Sequence, residues 1–165
     1  MKFILLLLCA VSLSTYCFSQ EVENPANNAL SSTANVDEQI NALNAELIIH
    51  NEDMGFSPSY WQIKYDSDKK VVMMSNYDKG SQSLIYTNTV DPKKIRLIME
   101  IEKSSGHCIR ISAIDKAIKS KGSSDNVVYE DEFTLWMLQG TELEINKIKN
   151  DLVKLFRRLG SSLPD

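Results

Sequence analysis

The stretch "QSLIYTNTVDPKKIRLIMEIE", residues 82–102, carries two β-strand patterns and the break between them. Residues 82–90 are rich in β-branched and aromatic side chains, and Ile95, Leu97, Met99 and Ile101 alternate with Arg96, Ile98, Glu100 and Glu102. Between them stands "DPKK", whose proline has no N–H to give a strand ladder. A period of two on both sides of a short breaker predicts antiparallel strands rather than a helix.

The same period extends in both directions. Upstream, "YWQIKY" (60–65) sets Trp61, Ile63 and Tyr65 against Tyr60, Gln62 and Lys64; "DSDK" turns the chain into "KVVMMSNY" (70–77), and "DKGS" turns it again. Downstream, "SSG" (104–106) leads into "HCIRIS" (107–112), where Ile109 and Ile111 face the core with His107 in phase and Cys108 falls opposite with Arg110 and Ser112. The polar run "DKAIKSKGSSDN" (115–126) reads as a loop, and "EFTLWML" (132–138) as a last strand with Phe133, Leu135 and Met137 on one face. Six strands over 60–138 joined by short turns predict an antiparallel meander.

A helix flanks the meander on each side. Asn35 and Glu38 have the spacing of a capping box, and Val36, Ile40, Leu43 and Leu47 form one apolar stripe, predicting a helix over 36–53 before Gly55 and Pro58. His50 falls on that stripe near the helix end, where a half-buried imidazole interacts with the C-terminal dipole more often than it binds a ligand. The second helix, 142–159, has Thr141 and Glu144 as a capping box and a stripe of Ile145, Ile148, Leu152, Leu155 and Leu159, with Gly160 as its stop. Lys147, Lys149, Lys154, Arg157 and Arg158 crowd its later turns; they complement the dipole, and an anionic membrane surface is the lesser reading.

An amphipathic helix and a one-sided sheet must cover each other, so the class is α+β. Over residues 60–159 the order of "SLIYTNTVDPKKIRLIMEI", "HCIRI" and "EINKIKNDLVKLFRRL" resembles the small exported bacterial pleckstrin-homology-like domains. The resemblance implies a curled antiparallel sheet closed by the C-terminal helix, and a binding or scaffolding role. The first helix is an addition to that plan, and "DSDKK" mixes both signs, so the lipid-head-group function of some relatives does not carry over. A cystatin-like fold, with the first helix as the main cover of the sheet, is the alternative.

The N-terminus reads as an export signal over 1–19. Lys2 is followed by an apolar run from Phe3 to Val11, about half a membrane span, with Cys17 and Ser19 at the small-residue positions before cleavage. Lipidation is the lesser reading, because Leu8 and Tyr16 precede the two cysteines where a small residue is wanted. Residues 20–34, "QEVENPANNALSSTA", read as a disordered linker, and 35–160 as a single domain. Cleavage leaves about 145 residues, enough to bury roughly two-thirds of the unfolded surface. The chain is thus expected outside the cytoplasm, in the periplasm or secreted, with no membrane-spanning segment after cleavage.

Charge and cysteine count narrow the function. Losing Lys2 takes the net charge from -4 to -4 minus +1, or -5, without the clustered basic footprint of a nucleic-acid binder. Cys9 and Cys17 leave with the signal, so Cys108 remains as a free thiol with no intramolecular disulfide partner. His107 and Cys108 are adjacent, and adjacent strand residues point to opposite faces, so they make no dyad; Cys108 with His50 would need the first helix over that face.

No CxxC or HxxxH spacing, calcium loop, phosphate loop or GxSxG occurs, and no cofactor or metal is expected. "YEDE" reads as solvated, and Glu100 with Glu102 as a surface ladder.

Three function classes stand. The first is a non-catalytic exported module that binds a protein or envelope component through an edge strand or the 115–126 loop, with Lys116, Lys119 and Lys121 as the binding residues. The second is a thiol-dependent enzyme centred on Cys108. The third is a binder of small apolar ligands, suggested by Met73, Met74, Met99 and Met137, although methionine more often fills core gaps. Monomer and dimer are both left open.

Overall fold

The computed structural model describes residues 25–50, 59–103, 106–122, 124, 126–137 and 140–164, without the side chains of 25–34, 50, 102, 103, 106 and 137. The expected signal over 1–19 and the end of the first helix beyond residue 50 lie outside these residues. Within them the chain is α+β, with a helix at each end of two antiparallel sheets.

Helix α1 runs Pro25–His50. It begins ten residues before the cap expected at Asn35, within the stretch read as a linker. Proline suits a first helical position, and Ala26, Ala29 and Ala34 are strong helix formers, so extending the packed half N-terminally costs little once it has nucleated. Asn35 is therefore mid-helix, where its Oδ1 accepts from Arg158 at 2.5 Å. The stripe itself is as expected, with Val36, Ile40, Leu43 and Leu47 all buried.

Strands β1 (Ser59–Asp66), β2 (Val71–Asp78) and β3 (Leu84–Val90) form two hairpins. At the first turn Asp66 accepts from the Lys69 backbone N–H and ammonium, and at the second Asp78 accepts from the backbone and hydroxyl of Ser81. At "DPKK" the chain leaves the first sheet: Pro92–Lys94 makes one 3-10 turn, capped by Asp91 Oδ1 on the Lys93 N–H. Strands β4 (Ile95–Lys103) and β5 (Gly106–Ala113) then open a second sheet.

Here the expected meander fails. The stretch 115–126 is not a loop: Ile118–Gly122 is strand β6, which returns to pair with β3, and β7 (Val127–Glu130) pairs with β6. Strand β8 (Glu132–Met137) goes back to β5. Among the described residues eight strands thus make two sheets, ordered β1-β2-β3-β6-β7 and β4-β5-β8. Local polarity hid β6, since only Ile118 of its residues is buried.

The phase of β4 also differs from expectation. A register shift between Ile95 and Leu97 lets both Ile95 and Ile98 turn inward, while Leu97 and Met99 stand exposed on the other face. A bulge inserts one residue and so reverses the alternation beyond it.

Helix α2, Glu142–Arg158, has the expected capping box between Thr141 and Glu144, and Gly160 follows its end at φ +99°. It buries Ile145, Ile148, Leu152, Leu155 and Phe156 against β4, β5 and α1, each worth roughly 1.5–3 kcal/mol. Its cations are engaged within the molecule: Lys147 pairs with Glu46, Arg158 bonds Asn35 and Gln39, and Arg157 donates to the carbonyls of Leu163 and Pro164. The hydrogen bond to Glu46 holds the Lys147 ammonium above its ordinary value. α1 packs on β1 and α2, so the second sheet takes its cover from α2.

α1 also closes the outer edge of the first sheet. The Asn44 side chain accepts from the Ile63 N–H at 2.7 Å and donates to the Ile63 carbonyl at 3.0 Å, standing in for a further strand. Substitution Asn44→Leu leaves both groups unpaired and is expected to cost about 1–3 kcal/mol in urea unfolding; a loss below a few tenths of that contradicts the role.

The bonds from Lys69 and Ser81 hold the Asp66 and Asp78 carboxyls below their ordinary value of 3.8. Their contribution is present above that value and lost as pH falls through the lower folded values. The double variant Asp66→Asn/Asp78→Asn should therefore lose less stability than wild type between about pH 5 and 2, measured as the urea midpoint. An unchanged acid limb refutes this.

Candidate functional site

The hairpins and β6 place their outward residues in two rows across the first sheet. One row reads Lys64, Met73, Thr89, Lys119, Tyr129, and the next reads Gln62, Ser75, Thr87, Lys121, Val127. Alternation along each strand makes these one face, opposite the core-facing Ile63 and Met74. The structure thus brings together two of the three expected binding lysines, Lys119 and Lys121. Lys116 is set apart in the turn before β6, at φ +50°, where its N–H donates to Asp131 Oδ1.

Lys119 and Lys121 border a groove of about 290 Å³ with Thr87, Thr89, Met73 and Lys69. Three lysines line it with one acidic residue, Asp66, whose carboxylate is paired with Lys69 at 2.8 Å. That bond raises the Lys69 pKa above its ordinary value. Ser75 Oγ and Thr87 Oγ1, 2.8 Å apart, add hydroxyls beside the groove. Ammonium and hydroxyl donors around a shallow apolar floor suit carboxylate or phosphate oxygens.

The sequence pointed to Lys119 and Lys121 by their charge. It missed Lys69, Thr87 and Thr89, because their nearness depends on β6 pairing with β3. A second concavity, about 410 Å³, lies between α1 and β1 beside Asp37, Asn41, Asn44 and Gln62, and Asn44 in it is already bonded to β1.

On the inner face, Asn88 Oδ1 accepts from Ser120 Oγ, whose oxygen lies 2.7 Å from Glu130 Oε2. The single hydroxyl proton cannot serve both acceptors, and Asn88 Nδ2 is buried without a partner. Exchanging the amide's oxygen and nitrogen resolves the first conflict, with Nδ2 donating to Ser120 and Ser120 to Glu130, and leaves the buried acceptor Oδ1 in the unpartnered position. Burial, and then the Glu130 charge, push the neighbouring Tyr86 phenol up to about 12. Glu130 to Glu132 do not cluster: Glu130 ends β7, Asp131 binds Lys116, and Glu132 opens β8.

The thiol reading fares differently. Cys108 is buried, with its Sγ 3.4 Å from the Ile101 carbonyl and Trp136 as its ladder neighbour. His107, on the opposite face as expected, bonds Glu100 through Nδ1 at 2.7 Å. Glu100 is thus half-buried on the core side of β4, not part of an outer ladder, again because the bulge reversed the phase. The His50 side chain lies outside the described residues.

The methionines are not gathered either: Met74 is in the core, Met73 floors the groove, Met99 is exposed on the second sheet, and the Met137 side chain is not described. Among the described residues no three His, Cys, Asp or Glu side chains group as for a metal ion, and no helix is long and apolar enough to cross a membrane.

Comparison of the chain with protein-family models, with curated proteins and with solved structures finds no match.

Burial predicts an inert thiol. In the native state Cys108 should react with an aromatic disulfide reagent many times more slowly than in urea, at a rate that tracks global unfolding. Native labelling as fast as that of a free thiol in solution would return Cys108 to the list of reactive groups.

Proposed function

We propose that this chain is a non-catalytic exported binding module whose outer sheet face holds anionic groups of a protein or envelope component. The observation that carries this reading is the convergence of Lys69, Lys119 and Lys121 with Thr87 and Thr89 on one groove. A mildly acidic protein that gathers lysines on one face builds a local field opposite to its net charge, which favours a specific anionic partner over general attraction. The groove is shallow and framed by strands, so its geometry hardly changes on binding and little ordering entropy is lost.

Export is read from the sequence over 1–19, and the non-catalytic character from the placement of Cys108 and His107 on opposite faces. A pleckstrin-homology-like architecture belongs to the same reading. It is supported by the division into two antiparallel sheets and by a C-terminal helix packed on β4 and β5. The β6–β7 hairpin, which returns to the first sheet, and α1 are departures from that plan.

The test uses two probes, a fluorescent poly-glutamate peptide and vesicles containing an anionic phospholipid. The wild-type chain should bind at least one of them, more weakly as salt rises. The variant Lys119→Glu/Lys121→Glu should bind at least about tenfold more weakly, with Lys116→Glu nearly unchanged. Preference for the peptide or the vesicle distinguishes a protein from a membrane source. Equal binding by wild type and the double variant sinks the proposal.

A further inference from the structure

The two edges of the five-stranded sheet are treated differently. β1 is closed by Asn44 of α1, whereas among the described residues β7 is the last strand of its sheet, paired on one side by β6. Val127, Val128 and Tyr129 on that edge are 39, 53 and 60 % exposed. Edge strands are ordinarily blunted by lysine, proline, a bulge or a covering segment. In β7, "VVYE", the one charge is Glu130 at the very end.

We propose that β7 pairs with β7 of a second copy of this chain, antiparallel about a two-fold axis at Val128, joining two five-stranded sheets into one. Self-complementarity carries the inference. About that axis Val128 meets Val128 of the second copy on the inner face, Val127 meets Tyr129 on the outer face, and Glu130 meets Asn126. Valine opposite tyrosine is a favourable cross-strand pair, and within Val127–Glu130 no like charges meet. Moving the axis to Tyr129 sets Glu130 against Val128, leaving a carboxylate opposite an apolar side chain. A slip by a single residue would bring the two faces out of phase.

The outer row then reads Thr89, Lys119, Tyr129, followed by Val127, Lys121 and Thr87 of the second copy. The two lysines are three strand spacings apart, about 14 Å, which is beyond the screening length of about 8 Å at physiological salt. Their repulsion does not oppose the pairing, and the two lysine grooves come to share one face. The inference holds whatever the groove binds.

Sedimentation equilibrium of the full chain at physiological salt, from low-micromolar to near-millimolar concentration, tests it. The wild-type mass should rise toward twice that of one chain. Val128→Lys and Val128→Glu place like charges at the axis, and each should associate at least tenfold more weakly. An equimolar mixture of the two should recover association, because opposite charges then meet. Val128 is exposed, so both variants should keep the wild-type circular dichroism spectrum. A wild-type chain that stays monomeric throughout overturns the pairing and leaves the edge to a foreign strand. A mixture that associates no better than either variant alone overturns the axis at Val128.

Discussion

The burial of one face of α2 is the constraint on which the rest of this structure depends. Ile145, Ile148, Leu152, Leu155 and Phe156 have no exposed area, and the surfaces that remove it are β4, β5 and the first helix. The two helices run antiparallel, with Asn35 near Arg158 and Glu46 near Lys147. Each sheet would expose its inner face without this arrangement, since neither five nor three twisted strands close on themselves. The basic residues of α2 follow from it as well. Once its apolar stripe is turned inward, Lys147 and Arg158 border α1 and Arg157 reaches the carbonyls of Leu163 and Pro164, so these cations serve tertiary contacts.

A sheet held in this way has consequences at its edges and on its outer face. Within the first sheet α1 packs chiefly on β1, where a single asparagine satisfies a strand's N–H and carbonyl together. Among the described residues Lys64, Lys119, Lys121, Val127 and Tyr129 stand exposed on the outer face of this sheet. Rigid strands beneath it fix the spacing of the donors, which a loop of the same sequence would not. Recognition on such a face combines ammonium groups, hydroxyls and a small apolar floor, and it needs no moving part.

The parts of the fold that were legible in the sequence are those written locally. The α2 boundaries follow from Thr141, Glu144 and Gly160, and the α1 stripe from four residues at helical spacing. The turns at Asp66 and Asp78 follow from aspartates whose oxygens bond backbone N–H groups three residues on. The parts that were not legible share a cause. Bulging between Ile95 and Leu97 reversed which face of β4 is buried, moving Ile98 inward, Met99 outward and Glu100 beside His107. An alternating pattern gives no sign of such an insertion. β6 was hidden for a related reason: "IKSKG" buries one side chain and is held as a strand by partners on both sides.

By itself, then, the sequence determined six of the eight described strands, α2 with its limits, the α1 stripe and the class α+β, since a period of two or 3.6 and a capping box are properties of neighbouring residues. It also determined that His107 and Cys108 point apart, because strand geometry alone requires it. Only the tertiary structure decided that the strands divide into two sheets, that α2 covers the second, and that Lys119 and Lys121 stand beside Thr87 and Thr89 while Lys116 does not. The physical reason is that β3 and β6 meet across some thirty intervening residues, as Asn88 does with Ser120. Pairing at that distance is selected by burial and hydrogen bonding of the whole chain, and no short window of sequence contains it.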